Sequence, residues 1–95
     1  MIESSMQLTA QRLHDFLAAI PGVERVLVEE DEGRLVARVI ASRFEGVDDG
    51  LRQEEIYQLF LDELDSDDRR RIAFVFTDTP GEYAELEAAS ELRSE

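Results

Sequence analysis

The sequence predicts an α/β domain of the α+β kind, a three-stranded mixed sheet with helices on one face, in the order α-β-β-α-β-α. Three observations predict it. Apolar residues recur at helical spacing in three separate stretches. Between the first two stretches, a pair of short apolar segments flanks a tight acidic turn. Before the third, Ile72, Phe74 and Phe76 alternate with Ala73, Val75 and Thr77, a segment apolar on both faces.

Each element has its own signal. Leu13, Phe16, Leu17 and Ile20 stand at i, i+3, i+4 and i+7, the stripe of an amphipathic helix, and Pro21-Gly22 ends it. Val23 to Glu29 carries Val26, Leu27 and Val28 and reads as a strand. Glu30-Asp31-Glu32-Gly33 is a turn whose glycine can take a positive φ. Arg34 to Ser42 alternates, with Leu35, Ala37, Val39 and Ala41 on one face, so the two strands form a hairpin.

Phe44 to Gly50 is a loop, and Ile56, Leu59, Phe60 and Leu64 mark a second helix over about Leu51–Leu64. Asp65-Ser66-Asp67-Asp68 breaks the pattern. Ile72 to Thr77 is the third strand, and its two-sided apolarity predicts that it lies between the other two or pairs directly with Arg34 to Ser42. Thr79 can cap the last helix, Pro80 suits its first turn, and Glu82 completes a capping box. Tyr83 and Leu86 are expected to give that helix an inward face. The 95 residues make a single domain, with an ordered core over about residues 8–88 and a tail that frays over 90–95.

Composition excludes several functions. No cysteine is present, which removes disulfides, thiolate metal sites and a cysteine nucleophile. No apolar run approaches the ~20 residues of a bilayer span. Met-Ile-Glu-Ser-Ser lacks the basic start and apolar stretch of a secretory signal, so a cytoplasmic protein is expected. The 23 acids outnumber the 10 bases, all arginine, and the net charge of −13 repels phosphate backbones and anionic membranes alike. Two readings of that acidity stand. It is a solubility trait of a salt-adapted or GC-rich genome, or it is a surface that selects basic partners.

Catalytic constellations are thin. With one histidine and no cysteine, nothing can activate a serine, and the abundant carboxylates lack a converging partner of another type. No enzyme activity and no cofactor are expected. Asp62, Glu63, Asp65, Asp67 and Asp68 lack the alternating ligands and glycine of a calcium loop, and read as a solvated helix end. Arg69-Arg70-Arg71 follows and can neutralise part of it. His14 neighbours Leu13 and Leu17 on its helix and reads as a surface or core-edge residue.

Val39-Ile40-Ala41-Ser42-Arg43-Phe44-Glu45-Gly46, followed by Arg52-Gln53-Glu54-Glu55-Ile56-Tyr57, resembles the signature of BolA-like proteins. There a strand ends in serine, a Phe-x-Gly loop follows, and a helix bears Arg-His-x-x-Val-Tyr. Ile72 to Tyr83 is similar to the family's closing strand and its Thr-Pro-x-Glu-Trp helix start. The resemblance spans roughly Leu8 to Leu86 and implies a BolA/KH-like fold. It points to Phe44, Gly46, Arg52, Gln53, Tyr57 and Arg71 as partner-binding residues.

Two departures bear on function. The family's histidine in Arg-His is Gln53 here, and its histidine before the closing strand is Arg71. The second of these, the resemblance implies, helps hold a two-iron cluster shared with a monothiol glutaredoxin. Arginine stays protonated and offers iron no lone pair. The KH relationship implies no nucleic-acid site either, because Gly46-Val47-Asp48-Asp49-Gly50 is not the Gly-x-x-Gly clamp and carries two aspartates. The expectation is a non-catalytic adaptor or regulator, linked to iron–sulfur or stress physiology through its partner, without cluster ligands of its own. That partner is a monothiol glutaredoxin or a basic protein, and the chain itself is a monomer or weak homodimer. The alternative is an acidic interaction module, or a small subunit of an unrelated complex, on the same fold.

Overall fold

The computed structural model describes residues 8–93, so Met1–Ser5 and the end of the expected tail lie outside the described residues. Thr9 caps the first helix, its hydroxyl accepting from the Arg12 amide, and α1 runs over Ala10–Ala18. Leu13 and Leu17 are fully buried, as their spacing predicts.

The hairpin pairs β1 (Arg25–Asp31) antiparallel with β2 (Arg34–Ile40). Because Asp31 opposes Arg34, the connection is the dipeptide Glu32-Gly33, with φ values of 53° and 81°. Positive φ at both central positions matches the right-handed twist of the flanking strands, and only one of the two positions is glycine. A 3-10 turn at Ser42–Phe44 leads to α2 (Asp49–Glu63), whose N-cap is Asp48.

A short helix, α3 (Ser66–Arg71), precedes β3 (Ile72–Asp78), and α4 covers Pro80–Arg93. The acidic run is therefore a helix start, not a break in structure. Asp65 caps α3 by accepting from the Asp68 amide at 2.9 Å, and buried Asp68 accepts from the Leu8 amide at 3.1 Å. Acids in the first turn and arginines in the last complement the helix dipole. Of the arginine triplet only Arg70 pairs back into the acidic run, with Asp67.

The sheet order is β1-β2-β3, with β3 parallel to β2. The third strand pairs directly with the second, one of the two places expected for it, and lies at the sheet edge rather than at the centre that its two-sided apolarity suggests. One side, Val75 and Thr77, is buried. The other, Phe74 and Phe76, is 48% and 41% exposed, so its apolarity comes from aromatic rings left at the surface.

The registers sort the two faces. Val26, Leu35, Ala37, Val39 and Val75 meet Leu13 and Leu17 of α1 and Ile56, Phe60 and Leu64 of α2 in one core. The Phe16 and Phe60 rings, 5.8 Å apart, join the two helices. On the opposite face lie Arg25, Leu27 and Glu29 of β1, Ile40, Arg38 and Val36 of β2, and Asp78, Phe76 and Phe74 of β3. Helix α4 adds nothing to the core among the described residues. Leu86 is 47% exposed rather than inward, while Tyr83 reaches back to the sheet, the Arg25 and Arg38 guanidiniums lying over its ring. The helix continues to Arg93, past the Ser90 at which fraying is expected from sequence. No helix among the described residues is long and apolar enough to cross a membrane.

Candidate partner-binding site

The segment between β2 and α2 is held from within. Phe44 is buried at the core edge, and Gly46 takes φ 76°, a conformation that a side chain disfavours. Arg52, 5% exposed, then gathers the backbone around it. Its Nε donates to the Val47 carbonyl at 2.8 Å, Nη2 to the Phe44 carbonyl at 3.0 Å and Nη1 to the Thr77 carbonyl at 3.2 Å. Nη1 also meets Glu82 Oε1 at 3.0 Å, and the guanidinium lies 5.5 Å from the Phe44 ring centroid.

One buried cation thus fixes the loop after β2, the end of β3 and the start of α4. The Glu82 hydrogen bond, outweighing burial, raises the Arg52 pKa above its ordinary value. Glu82 is lowered in turn, first by Arg52 and then by the Thr79 amide. That amide donates to Glu82 Oε1 at 2.8 Å while the Thr79 hydroxyl accepts from the Glu82 amide at 3.1 Å, the capping box read from sequence.

The next residue along α2 turns outward. Gln53 Nε2 donates to the Val75 carbonyl at 2.8 Å. The Asp78 carbonyl accepts from the Ala41 amide on the β2 side, so by strand alternation the Val75 and Thr77 carbonyls face the free edge. Gln53 and Arg52 cap that edge, and α2 closes β3 to further strand pairing.

What remains between α2 and β3 is a groove of about 180 Å³ lined by Gln53, Ile56, Tyr57, Phe60, Phe74 and Val75, with Arg69 and Ile72 completing it. Tyr57 is 55% exposed on one bank and Phe74 stands on the other. Arg69 Nη1 is spent on the Leu64 carbonyl at 2.6 Å.

Arg71 is taken up elsewhere. Its Nε donates to the Leu8 carbonyl at 3.0 Å, Nη1 donates to the Gly33 carbonyl, and Nη2 stands 3.6 Å from Glu30. The side chain, 16% exposed, ties the hairpin turn to the start of α1. His14 lies at the surface, its Nδ1 3.3 Å from Asp15 of the same helix. Among the described residues no three His, Asp or Glu side chains converge to hold a metal ion.

The six residues picked out in the sequence therefore divide. Gln53 and Tyr57 share a groove. Phe44 and Arg52 are buried, Gly46 shapes a turn, and Arg71 is an internal tie. Phe74 was missed, although the apolarity of Ile72–Thr77 on both faces signalled it once an edge position was considered.

The backbone is similar to that of BolA1 from Arabidopsis thaliana, with a TM-score of 0.60 and 21% identity over 81% of this chain and 98% of that one. No family model and no curated protein matches the sequence. The similarity shows a BolA-like fold, here with four helices around a three-stranded mixed sheet.

Proposed function

We propose that this chain is a non-catalytic adaptor or regulator that binds a protein partner through the α2–β3 groove. The observation that carries the reading is the pairing of exposed Tyr57 and Phe74 across an apolar cleft whose strand edge is already capped. A large aromatic with a polar tip beside a cleft is the usual anchor of a protein interface, and a closed edge leaves recognition to side chains. The chain's −13 charge favours a basic partner surface.

A monothiol glutaredoxin is the partner the family resemblance suggests, in a cytoplasmic setting. The contact would bring no cluster ligand from this chain, because the guanidinium of Arg71 is committed to two carbonyls and Glu30. Nucleic acid is not a ligand on this reading. The N-terminus of α2, where a phosphate could sit, is already served by Asp48 and Asp49. Arg69 and Arg71 are tied to carbonyls, so the arginine triplet presents no patch.

The test is an amide NMR titration with a purified monothiol glutaredoxin. Shifts gathered on Gln53, Tyr57 and Phe74, and lost in Tyr57→Ala, support the proposal. Shifts confined to other surfaces, or unchanged by that substitution, overturn it.

A further inference from the structure

The sheet face turned away from the core is neutral on a strongly acidic chain. It carries three arginines, Arg25, Arg34 and Arg38, against three carboxylates, Glu29, Asp31 and Asp78, while the chain as a whole stands at −13. Arg38 is ion-paired with Asp78 and stacks 4.6 Å from the Phe76 ring centroid. Arg25 stacks 5.4 Å from that of Tyr83 and forms no ion pair with a carboxylate among the described residues.

The face is also uneven. At the end where α4 begins, Tyr83 stands over it as a ridge. At the other end Val36, Phe74 and Glu29 are uncovered, and a hollow of about 270 Å³ lies between, floored by Leu27 and Phe76.

We propose that this face pairs with a second copy of the chain about a two-fold axis that lies in the seam and runs across the strands. That axis exchanges the two ends. The Tyr83 ridge of each copy then lies over Val36 and Phe74 of the other, and Arg25 faces the partner copy's Glu29, as an isologous contact requires. An axis along the strands would set ridge against ridge.

A basic partner would seek the acidic surfaces, whereas like-charged copies meet with least repulsion where the charge cancels. The association is weak. Strands of seven residues, at about 3.3 Å rise and about 4.8 Å spacing, give a face of roughly 23 by 14 Å. Two copies bury on the order of 650 Å² there, below the ~1,200–2,000 Å² of stable interfaces.

Sedimentation equilibrium up to about 1 mM protein tests this, at salt from about 0.01 M to about 1 M, where the screening length falls from about 30 Å to about 3 Å. The mass should rise from 10.8 kDa toward twice that value, and association should tighten several-fold with salt. Tyr83→Ala and Arg25→Glu should each weaken it, and Tyr57→Ala, on the α2 bank of the groove that shares Phe74 with this face, should not. A constant 10.8 kDa at every concentration and salt overturns the proposal, as does association that weakens with salt.

A second measurement does not depend on Tyr83. The chain has no cysteine, and Leu27 lies near the proposed axis, so Leu27→Cys gives one thiol per copy. Sheets pack about 10 Å apart, beyond disulfide reach, so a short bis-maleimide is the linker. Cross-linking of Leu27→Cys but not of Gln11→Cys on α1 is expected, and equal yields would contradict the seam.

Discussion

Arg52 and Tyr57 stand five positions apart on α2, and the fold uses them in opposite ways. Arg52 is turned inward and holds three carbonyls and a carboxylate, while Tyr57 is 55% exposed at the mouth of a groove. Phe44 and Arg71 side with Arg52 as internal ties, and Gln53 mediates, capping the β3 edge while lining the groove. A short motif can therefore hold two kinds of residue, those that shape a surface and those that meet a partner. Along α2, helical rotation brings Arg52 to the Thr77 carbonyl and Glu82 and leaves Tyr57 at the groove.

The sharpest way to break that division is Arg52→Met. Removing the cation leaves three carbonyls without their donor and Glu82 with the Thr79 amide alone, so a loss of about 3 kcal/mol in unfolding free energy is expected by urea titration. A loss near zero would mean that Arg52 is not the tie described.

Acidification probes the same contact more gently. Glu82 is held below the usual carboxylate range by Arg52, so its contribution is fully present above the unfolded carboxylate pKa and is lost as pH falls through its folded value. Thermal unfolding should show wild type ahead of Glu82→Gln at neutral pH and the two converging in acid. A gap that widens in acid would have the wrong sign.

At the boundary between the regions, Gln53→Ala should cost about 1 kcal/mol, the value of one hydrogen bond to the β3 edge. A loss near zero by urea titration would place Gln53 wholly on the partner side. Tyr57→Ala is expected to be smallest, within about 0.5 kcal/mol of wild type by urea titration, since exposed side chains away from ties change stability little. A larger loss would move Tyr57 to the structural side.

Much of the fold was legible because its signals are local. The stripe of Leu13 and Leu17, the positive-φ turn at Gly33 and the capping box of Thr79 and Glu82 are each written within a few residues. Helix α3 was missed because its six residues are all polar, although Asp65 followed by acids and then arginines carried both a cap and a dipole pattern. Which of its two expected places β3 takes was not legible, for a different reason. Apolar residues on both faces mark burial only where both faces are covered, and the sequence does not say which aromatic rings stay in water.

The site divided along the same line. The motif positions located α2 and its loop, but burial separates Phe44 and Arg52 from Tyr57, and burial depends on the Thr77 carbonyl and Glu82, which lie far along the chain. Arg71 is the clearest instance. Its partners, Leu8 and Gly33, are 63 and 38 residues away.

That residue also offers the most direct test, because the sequence resemblance implies a cluster-holding histidine at its position and it is here an internal tie. Native chain is mixed with a cluster-loaded monothiol glutaredoxin and the visible circular dichroism recorded. The account predicts the spectrum of the glutaredoxin homodimer unaltered, since a guanidinium donating to two carbonyls offers iron no lone pair. A distinct heterodimer spectrum from the native chain would contradict it.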